Sequence, residues 1–193
     1  MANLISEILS ILTLAGDILI FGIVLIFIYT IITKKNLKNW EIFRRITKNN
    51  YLLFALIISL ISTLGSLYYS DILGYEPCKL CWYQRIFMYP QVVLFILASK
   101  KRDYKIIDYS LILSVIGAII AGFHYWLQIT NNQDFSCSTI GYSASCTESF
   151  FLSYGYITIP VMALTAFILL VIFGVIARKN ILTKEVVKED EFQ

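Results

Sequence analysis

Tyr51 to Ser70 reads YLLFALIISLISTLGSLYYS, twenty residues with no Asp, Glu, Lys or Arg among them. A helix rises about 1.5 Å per residue, so a run of this length crosses the roughly 30 Å of a bilayer's hydrocarbon. In lipid only helices and closed barrels satisfy their own backbone, and this apolar run lacks the strict alternation of a barrel strand. Four further stretches are long, apolar and nearly free of charge: Ile8–Thr33, Trp82–Ser99, Ile106–Ile129 and Tyr154–Ala177. Hydrophobic residues make up 58% of the 193-residue chain and charged ones 15%, against roughly a quarter charged in a soluble domain. The expected fold is an all-α integral membrane protein with five transmembrane helices. Ile8–Thr33 reads as a retained span, because no basic residue precedes it and Lys34-Lys35, rather than a cleavage site, follows it.

Basic residues orient the spans. Lys34, Lys35, Lys38, Arg44, Arg45 and Lys48 lie between the first two, and Lys100, Lys101, Arg102 and Lys105 between the third and fourth. Arg178, Lys179, Lys184 and Lys188 follow the last. Fourteen of the sixteen basic residues thus fall on one side, which the positive-inside rule assigns to the cytoplasm. The N-terminus is then outside and the C-terminus inside. The net charge of +3 reflects this topology and gives no nucleic-acid patch.

Of the four cysteines, Cys78 and Cys81 form a Cys-x-x-Cys between the second and third spans, and Cys137 and Cys146 lie between the fourth and fifth. Both segments face outward in this orientation, where disulfides persist. Two structural staples are one reading, but so small a loop as Cys78 to Cys81 removes little chain entropy. A four-cysteine zinc site is another, disfavoured by the wide Cys137 to Cys146 spacing and by the absence of His from either loop. Redox chemistry suits the pattern better, one pair taking electrons from a partner and the other passing them on. No Walker-type loop or dinucleotide glycine motif is present, so a lipid-soluble quinone is the economical acceptor.

Glu76-Pro77-Cys78-Lys79-Leu80-Cys81-Trp82-Tyr83-Gln84-Arg85, continued by Met88-Tyr89-Pro90, resembles the signature of the DsbB/BdbC family of membrane disulfide-bond formation proteins. Gly122-Phe123-His124-Tyr125-Trp126-Leu127-Gln128 is similar to the outer end of that family's third core helix, and Gly155-Tyr156-Ile157-Thr158-Ile159-Pro160 to the start of its fourth. The vitamin K epoxide reductase family shares the four-helix core, but there the Cys-x-x-Cys follows the loop pair. The resemblance implies an antiparallel four-helix catalytic core over residues 51–177. An additional N-terminal helix with its basic cytoplasmic loop, similar to an arrangement in BdbC-like members, would occupy 1–50, and a charged cytoplasmic tail 178–193.

It further implies residence in a bacterial cytoplasmic membrane. The partner would be an extracytoplasmic thioredoxin-fold thiol oxidase of the DsbA/BdbD kind, and the acceptor ubiquinone or menaquinone. That partner, reduced, would attack the Cys137–Cys146 disulfide. Electrons would move on to Cys78–Cys81, with Cys81 the thiolate that reduces the quinone.

Arg85 is four residues beyond Cys81 and on its helical face. A guanidinium there can stabilise the thiolate and charge developing on a quinone oxygen; alternatively it snorkels to lipid headgroups. His124, the sole histidine, is read either as a donor to a quinone carbonyl or as a packed interfacial side chain, and Gln128 shares its face. Asp17 is a costly intramembrane carboxyl with no role assigned. Two small-residue faces, Ser114/Ala118/Gly122 and Ser59/Thr63/Ser66, are expected to let helices approach closely. Trp82, Tyr83, Tyr125, Trp126, Tyr154 and Tyr156 suit an outer aromatic belt.

Overall fold

The computed structural model describes residues 2–33, 38–130, 146–147 and 151–190. Five helices hold most of them: α1 (Ala2–Thr33), α2 (Lys38–Leu67), α3 (Lys79–Lys101), α4 (Ile106–Thr130) and α5 (Ile159–Asp190). Each contains a segment long and apolar enough to cross a membrane. Among the described residues no strand forms, only an isolated bridge between Ser153 and Ile157. Large apolar side chains such as Ile18, Phe21, Ile119 and Ile129 face outward and exposed, the surface that lipid requires and water would penalise. The chain is a multi-pass membrane protein.

Helix contacts run α2 to α3, α3 to α4, α4 to α5 and α5 back to α2, closing a four-helix ring, with α1 set against α5 outside it. The expected core plus one added helix is therefore the observed architecture. Tyr51, Phe95, Phe167 and Leu170 are fully buried in the ring's interior, and Tyr51 meets Phe95 edge-on at 6.1 Å. α4 presents a buried stripe of Ile107, Ser110, Ser114, Gly117, Ala121, His124 and Leu127, spaced three and four apart as one helical face demands. The tightest approach is at Gly117, where a Cβ would come within 2.4 Å of the Phe167 ring. The closest approach thus falls beside the expected small-residue face, of which Ser114 is buried, Ala118 packs against the core and Gly122 faces Leu164.

Helix limits differ from the apolar runs in instructive ways. α2 takes in much of the basic segment before Tyr51 and kinks at Asn50 (φ −116°, ψ 16°). After α2 a π-helical turn, Tyr68–Ile72, buries Tyr68 and Tyr69. The fifth span begins at Ile159 and not at Tyr154, because Tyr154 and Gly155 take φ of 50° and 79°, left-handed values that no α-helix accommodates. Backbone bonds in both directions between Ser153 and Ile157 close that turn, and Pro160 follows in the first helical turn, where its missing N–H costs nothing. At the other end α5 continues to Asp190, so the charged tail extends the helix. α3 starts at Lys79, which makes Cys78 its N-cap and puts Cys81 inside its first turn.

Candidate active site: a dithiol at an apolar cavity

The buried face of α3 carries Gln84, Met88, Gln91, Phe95 and Ala98. Continued one step towards the N-terminus, that three-and-four spacing reaches Cys81, and one residue before the helix comes Cys78. The fold thus delivers both thiols to the bundle's end by the periodicity that packs its middle. Cys78 is buried and Cys81 half-buried, and both are free thiols with their Sγ atoms 3.1 Å apart. Cys146 is fully buried and disulfide-bonded. It shares one cluster with Cys78 and Leu127, so the second cysteine of the loop pair packs beside the Cys-x-x-Cys. Cys137 lies outside the described residues.

His124, delivered by the α4 stripe, completes the group. Its Nε2 is 3.6 Å from Cys78 Sγ and its Nδ1 is 3.0 Å from Gln84 Nε2. An amide nitrogen can only donate, so Nδ1 accepts there and the ring proton sits on Nε2, beside the Cys78 sulfur. The Cys81 backbone N–H also donates to that sulfur, at 3.4 Å. With these donors converging on Cys78, the proton between the two thiols belongs to Cys81. Cys78 is accordingly held below the ordinary thiol pKa, chiefly by the Cys81 hydrogen bond, against burial, and then by His124. His124 is therefore a packed, hydrogen-bonded side chain whose Nε2 faces a cysteine sulfur.

Arg85 is held by the protein. Its Nε donates to Ser66 Oγ at 3.0 Å and its Nη2 to the Ser66 carbonyl at 3.2 Å, while the guanidinium carbon sits 5.1 Å from the centre of the Trp82 ring. Tyr89 also donates to Ser66 Oγ, at 3.2 Å. A guanidinium carries five N–H donors, so these bonds fix its plane and leave donors over. Ser66, read from the sequence as a packing residue, anchors Arg85 instead. Trp82, Tyr83, Trp126, Tyr154 and Tyr156 are exposed, as a belt requires.

Beside the thiols opens a cavity of about 260 Å³, lined by Cys78, Cys81, Gln84, Arg85, His124 and Gln128 at one end. Leu12, Ile58, Ile61, Met88 and Ala163 line the rest. This volume lies just below the usual ~300–1,000 Å³ of small-molecule sites. Every expected site residue among the described residues lines this cavity except Cys146, which packs against Cys78. The sequence points to no place at the site for Gln84, Ser66 or Tyr89. Gln84 was findable, since it shares the stripe of Cys81, but Ser66 reaches Arg85 across helices, which spacing within one helix does not reveal.

Among known proteins, one of Bacillus cereus described as "Probable disulfide formation protein C 1" is 44% identical over 134 residues, 69% of this chain and 96% of the relative. "Disulfide bond formation protein C" of Bacillus subtilis is 40% identical over 124 residues, 64% of this chain and 88% of the relative. The "SPbeta prophage-derived disulfide bond formation protein B" of Bacillus subtilis is 38% identical over 142 residues, 74% of this chain and 93% of the relative. No solved structure matches the chain. Residues 48–177 match the family described as "Disulfide bond formation protein DsbB", a stretch that includes all four cysteines, Arg85 and most of the four-helix ring, and the chain belongs to that family.

Proposed function

We propose that this protein oxidises an extracytoplasmic dithiol partner and passes the electron pair to a membrane quinone, ubiquinone or menaquinone, thereby supporting disulfide formation in exported proteins. The observation that carries the reading is the free Cys78/Cys81 pair beside an apolar cavity, with a fixed guanidinium and a proton-bearing imidazole at the thiol end. A quinone suits that cavity on donor chemistry: Arg85 has N–H groups to spare for a carbonyl oxygen, and hydrocarbon side chains line the remainder. Arg85, Gln84, His124 and Gln128 would hold the headgroup. When bound, the quinone supplies a two-electron, two-proton acceptor.

Exchange proceeds by thiolate attack on a disulfide. The reduced partner, a thioredoxin-fold oxidase of the DsbA/BdbD kind, attacks the Cys137–Cys146 disulfide at Cys137. Cys146, released, attacks the Cys78–Cys81 disulfide at Cys78, its neighbour in the buried cluster, and Cys81 leaves as a thiolate beside Arg85. The partner's second thiol then displaces Cys137, which re-forms its bond to Cys146 and frees Cys78. That leaves Cys78 and Cys81 reduced beside a bonded Cys146, the state described above. Closing the Cys78–Cys81 bond gives up two electrons and the Cys81 proton, and a second proton arrives through His124 from solvent. Arg85 stabilises charge on the acceptor oxygen until protonation.

The orientation belongs to the same proposal: the cysteine segments and N-terminus face outward and the basic segments the cytoplasm of a bacterial cell. After reduction of intact cells, a membrane-impermeant thiol reagent should label the cysteines, and labelling only after permeabilisation would reverse the topology. The activity itself is tested with detergent-solubilised protein and a reduced thioredoxin-fold dithiol protein. Catalytic oxidation that depends on added quinone is expected; oxidation at the same rate without it would refute the acceptor.

A further inference from the structure

α1 is the part of the chain that the family match does not reach: the match begins at residue 48, and α1 ends at Thr33. With 96% of its length aligned, the Bacillus cereus relative has too little left over for another span. Yet α1 is no detached anchor. Leu9, Leu12 and Thr13 line the same cavity as Cys78, Cys81 and Arg85. Leu9 presses on α2 closely enough that a Cβ on Gly65 would meet its methyls at 3.3 Å. The Thr13 hydroxyl is bonded to the Leu9 carbonyl at 2.8 Å, so this wall offers the cavity hydrocarbon.

One turn further along, α1 is locked to α5. Gly16 lets the helices approach until a Cβ there would lie 2.9 Å from the Thr165 methyl. Asp17 accepts hydrogen bonds from the Thr165 hydroxyl at 2.6 Å and the Tyr156 hydroxyl at 3.0 Å. A carboxyl inside a span is costly, and it persists where polar partners receive it. Two hydroxyl donors on one carboxyl specify both the height and the rotation of α1, where apolar contacts alone would let it slide.

We propose that α1 is a built-in wall of the quinone cavity, in which Leu9, Leu12 and Thr13 contact the quinone and Asp17 is the positioning residue that sets their height. The inference rests on the reading that the cavity takes a quinone. Without α1, the cavity side between α2 and α5 opens to lipid; with it, the headgroup enters a slot bounded by α1, α2 and α5, and the slot's width selects the ring.

The test uses oxidised full-length protein in detergent, with binding of decylubiquinone, a benzoquinone, and menadione, a naphthoquinone, followed by quenching of the native tryptophans. Leu12→Phe narrows the slot and should weaken both quinones by about tenfold or more, with KM for quinone rising in step and kcat little changed. Leu9→Ala with Leu12→Ala widens it and should shrink the difference in affinity between the two rings. Ile11→Phe, at the same level but not among the residues that line the cavity, should bind as wild type. Asp17→Leu should weaken both quinones, and Asp17→Asn, which keeps an acceptor oxygen, should recover most of the loss. Wild-type protein that binds neither quinone would sink the quinone reading itself. Wild-type protein that binds, beside a Leu12→Phe variant that binds equally well, would overturn the wall while leaving that reading intact.

Discussion

Two buried glutamines on one face of α3 do opposite jobs. Gln91 is fully enclosed: its Nε2 donates to the Phe87 carbonyl at 2.9 Å, and its Oε1 accepts from Ser110 at 2.8 Å and Ser114 at 3.2 Å. Two turns nearer the cysteines, Gln84 also reaches across to α4, but its partner is His124, whose other nitrogen faces a sulfur. The inner network closes on itself with each partner a hydroxyl or carbonyl, so it joins helices and does nothing else. The outer one ends on a group that can lose a proton and form a covalent bond. A buried polar chain in a bundle is structural when every end is capped and chemical when one end is reactive.

Substituting the reactive end should therefore abolish function and leave the fold intact. Cys81→Ser and Cys78→Ser should each reduce quinone-dependent turnover to background, with a melting temperature close to wild type. Parallel loss of folded protein would mean that the outer network is also structural, and the contrast would collapse.

Arg85 comes next. Arg85→Ala should cost ~2–4 kcal/mol of transition-state stabilisation in the quinone step. Arg85→Lys, which keeps charge but not the planar fork held by Ser66 and Trp82, should cost less. Both should still accept electrons from a reduced partner once, in a single turnover without quinone. Steady-state rates against quinone concentration, set beside that single turnover, separate the two steps. An unchanged quinone dependence in Arg85→Ala would leave Arg85 a structural link to Ser66.

At the inner network the effects should invert. Gln91→Ala strands the Ser110 and Ser114 hydroxyls in the core and should cost ~1–2 kcal/mol of stability, while turnover per folded molecule stays unchanged. Thermal unfolding in detergent measures the first and active-fraction-corrected rates the second. A variant as stable as wild type but slower in turnover would make Gln91 part of the active site.

Sequence reading recovered the bundle because lipid imposes one rule on every span, and that rule is visible in composition. Spacing alone puts Cys78, Cys81 and Arg85 together, because they stand three and four residues apart at the start of one helix. It missed what depends on contacts between helices. By its spacing Ser66 reads as a small packing residue, whereas Arg85 and Tyr89 converge on its hydroxyl. Only the Phe167 ring shows that the closest approach falls at Gly117, beside the small-residue face that spacing predicts. No His lies in either cysteine loop, but His124 reaches Cys78 from within α4. Tyr154 was placed in a helix because its run is apolar, and hydropathy carries no information about a positive φ.

The smallest expected effect probes the link between the glutamine and the sulfur. Cys78 lies below the ordinary thiol range, about 8.5, so its thiolate should persist as pH falls through that value, and alkylation should be lost only as pH drops through the depressed pKa. The Cys81 hydrogen bond is the larger cause of the depression and His124 a lesser one. His124→Ala should therefore move the alkylation midpoint upward part of the way, with Cys81 retaining the rest. Gln84→Leu should move it less: the imidazole stays, but nothing fixes its proton on Nε2, so the ring faces Cys78 in the donating tautomer only part of the time. The measurement is iodoacetamide labelling of the reduced protein across a pH series, with Cys78 and Cys81 distinguished by peptide mass. A midpoint at Cys78 that His124→Ala leaves in place would make the imidazole a packing element, and the outer network would then be as closed as the one around Gln91.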